Sequence, residues 1–185
     1  MCDYLLDTNI LKYWYDTRCL EHANVIACLE LVRRPDPHSG YVSRLLTSVV
    51  SVGEMEYGHR VEAAPDSAAQ KAFAAFVRNQ CPEFLEVTTH VTGHYGELRA
   101  WLFSNCSPKT KRSKARRVEE LVDPTTAHEL GVQENDLWIT AQAMTYNLTL
   151  VTHDSRGNFG KVLNAFRPTL RIVDWTQAEL EPPFV

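Results

Sequence analysis

Short apolar segments alternate with longer amphipathic segments along this chain, and this alternation constrains the fold more than any other feature. Between the apolar segments, hydrophobic residues recur every three to four positions, as on one face of an α-helix. Strands that alternate with helices typically form a parallel sheet covered by helices on both faces. We therefore predict a three-layer α/β/α fold with a mostly parallel central sheet, in a single domain spanning residues 1–185. The predicted strands are 4–6, 45–50, 84–87, 148–152 and 170–173.

Capping residues predict where several helices begin. Ser51 is a suitable N-cap for the helix after the second strand, which places Glu54 in its first turn, and Asn135 is a suitable N-cap for a later helix. Apolar spacing across 118–122 predicts one more helix, which Pro124 would end.

Four acidic residues lie near the ends of predicted strands or the starts of helices: Asp7, Glu54, Asp136 and Asp154. Open parallel sheets bind ligands beyond the carboxyl ends of their strands, so we expect these side chains to converge on one edge of the sheet. Each acid also has a structural alternative. Glu54 would complete a capping box with Ser51, and Asp136 would favour the dipole of its helix. Asp7 and Asp154 would be ordinary turn residues at the ends of strands.

Converging carboxylates require a compensating charge. Two like charges 4 Å apart repel by about 4 kcal/mol at an effective dielectric constant of 20. A site of oxygen ligands without cysteine favours a hard cation such as Mg²⁺ or Mn²⁺. Such ions activate water and stabilise the leaving oxygen of a phosphodiester. The four acids therefore predict metal-dependent phosphodiester hydrolysis.

Charge is distributed unevenly along the chain. The net charge is −4, yet six of the nine residues from 109 to 117 are basic and none is acidic. This segment could follow an RNA backbone, form a solvated loop or contact a protein partner. The candidate RNA-binding residues are Lys109, Lys111, Arg112, Lys114, Arg116 and Arg117.

Targeting signals are not evident in the sequence. The longest uncharged stretch, 137–153, is too short and too polar to cross a membrane, and the first residues lack the pattern of a secretory signal. Five cysteines without a C-x-x-C pair suggest reduced packing residues. We expect a cytoplasmic protein that does not enter a membrane.

Four segments together resemble the motifs of PIN-domain nucleases, and most closely those of VapC-type toxins from toxin–antitoxin pairs. They occur in the family's order and extend over most of the chain. The segments are Leu5-Leu6-Asp7-Thr8-Asn9-Ile10, Ser48-Val49-Val50-Ser51-Val52-Gly53-Glu54-Met55-Glu56-Tyr57-Gly58, Asn135-Asp136-Leu137-Trp138-Ile139-Thr140-Ala141-Gln142-Ala143 and Leu150-Val151-Thr152-His153-Asp154.

This resemblance implies a PIN-like fold and an endoribonuclease that depends on Mg²⁺ or Mn²⁺. It implies a cognate antitoxin that inserts a segment into the acidic groove, and it suggests a homodimer. The loop after Asp154 is longer than in many relatives, so either Asp154 or Asn158 could face the metal. The implied acidic site is Asp7, Glu54, Asp136 and Asp154, with Thr8, Asn9 and Thr152 in support.

Two other functions compete with the nuclease hypothesis. A catalytically silent PIN-like module would bind RNA or protein through the basic segment, although retention of all four acids argues against it. A metal-dependent phosphatase would often carry a D-x-D pair after the first strand, whereas this chain has Asp7-Thr8-Asn9.

Overall fold

The computed structural model describes residues 2–62, 66–106, 117–156 and 158–177. Its central sheet has five strands, all parallel, in the order β3-β2-β1-β4-β5. Leu5 in the middle strand is level with Leu46 on one side and Leu150 on the other. The predicted parallel sheet is therefore confirmed. The strands are β1 Tyr4–Leu6, β2 Leu45–Ser48, β3 Glu83–Leu85, β4 Thr149–Val151 and β5 Arg171–Val173.

Helices cover both faces of this sheet, which confirms the three-layer architecture. Side chains alternate between the two faces of a strand. In β1, Leu5 joins one buried cluster while Tyr4 and Leu6 join the other. The helices are α1 Thr8–Tyr15, α2 His22–Val32, α3 Val49–Val61, α4 Ser67–Gln80, α5 Thr92–Cys106, α6 Glu134–Thr145 and α7 Asn158–Ala165.

The second strand ends earlier than predicted, and this moves the start of α3. Ser48, rather than Ser51, is the N-cap, and its Oγ accepts a hydrogen bond of 3.0 Å from the Val50 N–H. The N-cap predicted at Ser51 is therefore wrong, and so is the structural alternative for Glu54, a capping box with Ser51. The β-branched pair at 49–50 resembles a continuing strand in sequence, but Ser48 is the last residue of β2 to pair with β3. Glu54 consequently lies in the second turn of α3.

Two other predicted boundaries also differ. Gln133, not Asn135, is the N-cap of α6, so Asp136 occupies the third position of that helix. The helix predicted across 118–122 is only a 3₁₀ turn, Val118–Glu120, followed by an antiparallel bridge between Val122 and Glu129. No helix in the described ranges combines the length and the hydrophobicity that crossing a lipid bilayer requires.

Candidate active site

The four predicted acids line one cleft at the carboxyl end of the sheet. This cleft has a volume of about 730 Å³ and contains Asp7, Glu54, Asp136 and Asp154. Asp7 follows β1, which lies at the centre of the sheet, and Asp154 begins a 3₁₀ turn after β4. The other two acids are contributed by α3 and α6. The fold therefore brings together four carboxylates that are far apart in the sequence.

Asp7 is buried at the junction of β1 and α1 and is held by neutral donors. Its Oδ1 accepts a hydrogen bond of 2.7 Å from the Thr8 N–H. Its Oδ2 accepts bonds from the Thr152 hydroxyl at 2.7 Å and from Asn9 Nδ2 at 3.1 Å. The Thr152 hydroxyl also accepts from the Asp154 N–H at 3.1 Å. Both oxygens of Asp7 are therefore fixed in place without a cationic partner among these contacts.

Asn9 bridges two of the acids. Its Nδ2 donates to Asp7 Oδ2 and also to Asp154 Oδ2, at 3.1 and 3.0 Å. Its Oδ1 accepts a bond of 3.3 Å from the His153 N–H, which anchors the amide to the chain just before Asp154. An amide at this position adds no charge, so it joins two carboxylates while leaving the net charge of the cleft unchanged.

Glu54 is held by two neutral donors from other elements. The Thr8 hydroxyl donates to its Oε2, and Asn135 Nδ2 donates to its Oε1 at 3.1 Å. Sequence reasoning predicted Asn135 only as a helix cap and missed this contact with Glu54. Its position directly before Asp136 was the available signal, because neighbouring residues at a helix start can face the same site.

Asp136 has a structural role as well as its place in the cleft. Its Oδ2 accepts a hydrogen bond of 2.8 Å from the Gln133 N–H, which stabilises the first turn of α6. Asp136 also lies in the first turn of α6, which is the position that the structural alternative, an interaction with the helix dipole, requires. Its side chain also lines the shared cleft, so the two roles coexist.

Crowding and burial raise the pKa of two of these acids. Burial raises the pKa of Asp7 to about 6; hydrogen bonds from Thr152 and Thr8 oppose the rise, and the charges of Asp154 and Glu54 add to it. Burial also raises the pKa of Asp136 to about 7, opposed by its bond from the Gln133 N–H, while the charges of the other three acids add to the rise. The ionised forms of these two acids are therefore disfavoured in the cleft, and a bound cation would stabilise them.

The donor set fits a hard divalent cation. All four acids offer carboxylate oxygens, which Mg²⁺ and Mn²⁺ prefer, and no cysteine lines the cleft. Within the described ranges, no three His, Cys, Asp or Glu side chains already form a compact metal-binding group. The carboxylates share the cleft, and Asn9 donates hydrogen bonds to two of them.

Several predicted site residues lie outside the described part of the chain. Residues 109–116 of the basic segment lie outside the described ranges, whereas Arg117 is described and exposed directly before the 3₁₀ turn at Val118. Asn158 begins α7, but its side chain is outside the description. Asp154 lines the cleft.

Solved structures share this fold over nearly the whole chain. VapBC2 from Rickettsia felis bound to a promoter DNA fragment contains a chain with a TM-score of 0.62 and 21% identity, covering 93% of this chain and 98% of that chain. DNA-bound VapBC from Salmonella typhimurium contains a chain with a TM-score of 0.61 and 22% identity, covering 95% of this chain and 99% of that chain. VapBC-5 from Mycobacterium tuberculosis, a member of the VapBC family of toxin-antitoxin systems, contains a chain with a TM-score of 0.54 and 21% identity. The match covers 94% of this chain and 99% of that chain. At these identities the likeness establishes the fold.

A comparison with curated proteins finds no match. The family model of the PIN domain matches residues 4–162, a range that begins with β1, includes all four acids and ends within α7. This match extends over most of the sequence and agrees with the all-parallel sheet. The chain therefore belongs to the PIN domain family.

Proposed function

We propose that this protein is a metal-dependent endoribonuclease of the VapC toxin type. The observation that carries the proposal is the convergence of Asp7, Glu54, Asp136 and Asp154 in one cleft at the carboxyl end of a parallel sheet. Membership of the PIN domain family supports nuclease chemistry, and the raised pKa values of Asp7 and Asp136 support a cation as the missing partner.

In this proposal the four carboxylates hold Mg²⁺ or Mn²⁺, which supplies an activated water and neutralises charge at the phosphate when bound. Asp7 is the central ligand, because it follows the middle strand and both its oxygens are fixed by hydrogen bonds. Thr8 and Asn135 orient Glu54, while Asn9 sets the separation of Asp7 and Asp154. These neutral residues position the acids without adding positive charge to the cleft.

The cleavage assay uses purified protein, a labelled single-stranded RNA and Mg²⁺ or Mn²⁺. We expect internal cleavage that stops when EDTA removes the ion and returns when the ion is added in excess. A protein that binds RNA without cutting it under these conditions would instead be the silent binding module. In either case the basic segment, 109–117, remains our candidate for contacts to the RNA backbone, because Lys and Arg neutralise phosphates.

We further propose an antitoxin as the protein partner and a homodimer as the assembly. The support is the shared fold with VapBC structures, one of which belongs to a toxin–antitoxin family. The candidate antitoxin would be a small DNA-binding protein with a tail, encoded by a neighbouring gene. Co-expression of that protein should relieve the growth arrest that the nuclease causes alone, and light scattering of the purified chain would report its oligomeric state.

Replacing Asn9 by Ala should lower the affinity for Mn²⁺ and the cleavage rate by about 10–100-fold, the usual cost of removing a group that orients metal ligands. The loss is expected because Asn9 bridges Asp7 and Asp154. Calorimetric titration with Mn²⁺ would measure the affinity. The matched control is Asn105→Ala, which removes an exposed amide bonded to the Trp101 carbonyl on α5. Equal affinities in the two variants would contradict a positioning role for Asn9.

A further inference from the structure

The acidic cleft continues along one face of α1. Thr8, Asn9, Lys12 and Tyr15 recur at the spacing of successive helical turns, and all four line the cleft. The first two contact the acids, whereas Lys12 and Tyr15 lie progressively farther along the helix. With a rise of 1.5 Å per residue, Tyr15 lies about 9 Å along the helix axis from Asn9. One face of α1 thus joins the carboxylates to a different surface.

That surface is an aromatic wall formed by Tyr15, His59 and Phe73, which come from α1, α3 and α4 and line the same cleft. The ring centroids of Tyr15 and Phe73 are 4.9 Å apart, and those of His59 and Phe73 are 6.2 Å apart. Tyr15 also contacts Phe76 at 5.2 Å. Although it is packed on one side, the Tyr15 residue is 40% exposed. The wall is therefore held by three helices and still offers a ring to solvent.

Cationic side chains accompany the aromatic wall. Lys12 is exposed in the cleft one helical turn before Tyr15. Arg18 also lines the cleft and is held by Asp16 through two hydrogen bonds of 2.8 and 2.9 Å. The charge of the cleft thus changes from acidic at the sheet edge to mixed beside the aromatic wall. A polyanion with flat rings complements this arrangement.

We propose that the aromatic wall is a nucleobase subsite, in which Tyr15 stacks on an unpaired base flanking the scissile phosphate of single-stranded RNA while Lys12 neutralises a nearby phosphate. This inference rests on the proposed nuclease function and names the part of the cleft that holds the substrate. Aromatic rings bind bases of any sequence because every base has a π-face, and adjacent cations bind the backbone. Bases within a duplex are already stacked on each other, so the subsite favours single strands.

Charge and continuity favour RNA over a protein segment as the occupant. A purely apolar protein segment could pack against the aromatic wall, but it would offer no anionic group to Lys12. A single-stranded polyanion uses the carboxylate site, the ammonium group and the ring in succession along α1. One face of α1 therefore extends from the proposed metal site to the proposed nucleobase subsite.

The test compares Tyr15→Leu, which keeps an apolar side chain but removes the ring, with Tyr15→Phe, which keeps the ring. We expect Tyr15→Leu to raise the KM for a single-stranded RNA by about 5–150-fold, the range that corresponds to loss of one base–aromatic stack. Tyr15→Phe should have a KM close to that of the wild type, because it keeps the ring. Tyr57→Leu is the matched control, because Tyr57 is an exposed tyrosine on α3 that does not line the cleft.

Fluorescence anisotropy with a labelled oligonucleotide gives a second measurement that does not need cleavage. In an Asp7→Asn background, Tyr15→Leu should weaken binding of the single strand and leave binding of a duplex of the same sequence unchanged. The subsite would be overturned if Tyr15→Leu changed neither the single-strand affinity in the Asp7→Asn background nor the KM of the active protein. That conclusion would hold even if the variant had lost binding to a protein partner. Failure of the wild type to cleave RNA would count against the proposed function alone, because the anisotropy comparison still tests the stack.

Discussion

Replacing Asp7 by Asn should reduce the rate of RNA cleavage at least about 100-fold while the protein remains folded. Loss of several kcal/mol of transition-state stabilisation is the usual consequence of disabling a metal ligand, and each ~1.4 kcal/mol changes the rate tenfold. Asn retains the shape of Asp, and its Oδ1 can still accept the hydrogen bond from the Thr8 N–H, while the NH₂ group that replaces Oδ2 can donate to the Thr152 hydroxyl oxygen. The substitution removes a buried charge, so the melting temperature in EDTA should rise.

The control for this prediction is Glu86→Gln. Glu86 is an exposed acid one residue beyond the edge strand β3, as Asp7 is one residue beyond the central strand β1, but it does not line the cleft. Its substitution should leave cleavage unchanged. Full metal-dependent cleavage by the Asp7→Asn protein would refute the assignment of Asp7 as a ligand, whatever the control shows.

The fold could be predicted from the sequence because its signals are local. The strands are short and mostly apolar, and each crossover contains one or more helices, so the order of elements implies a parallel sheet. The position of Asp7 follows from the same local signal, because it is the first polar residue after β1. Its location in the middle of the sheet depends on the strand order, which the alternation does not specify.

The start of α3 shows where local signals fail. Ser48 and Ser51 are both acceptable caps, and the choice depends on where β2 stops pairing with β3. That register is set by contacts between residues far apart in the sequence. The predicted first-turn position of Glu54 was therefore wrong, although its presence in the cleft does not depend on the capping box.

Hydrogen bonds within the cleft could not be predicted for a related reason. Asn135 and Glu54 are 81 positions apart, and Asn9 and Asp154 are 145 positions apart. Each bond depends on the rotation of a helix about its axis and on its height above the sheet. The aromatic wall has the same origin, because three helices contribute one ring each. Sequence identifies the chemistry of such residues, while packing determines which of them meet.

Divalent ions should stabilise this protein more at pH 8 than at pH 5. The pKa values of Asp7 and Asp136 are about 6 and about 7 in the folded state, above the ~3.9 of an unfolded Asp. Between these values the folded state binds more protons than the unfolded state, so the free energy of unfolding in EDTA falls as the pH rises. The free energy of unfolding in EDTA should fall by a few kcal/mol between pH 5 and pH 8, because each unit of pKa difference is worth ~1.36 kcal/mol.

Thermal unfolding in EDTA and in Mg²⁺, from pH 5 to pH 8, measures this effect. In a chain of this size each kcal/mol shifts the melting temperature by roughly 2–4 °C. The Mg²⁺-dependent increase should be small at pH 5, where protons already neutralise Asp7 and Asp136, and largest at pH 8, where the ion replaces them. Asp136→Asn should flatten the pH dependence in EDTA, since it removes the acid with the higher pKa. A melting temperature in EDTA that rises from pH 5 to pH 8 would contradict the raised pKa values of Asp7 and Asp136.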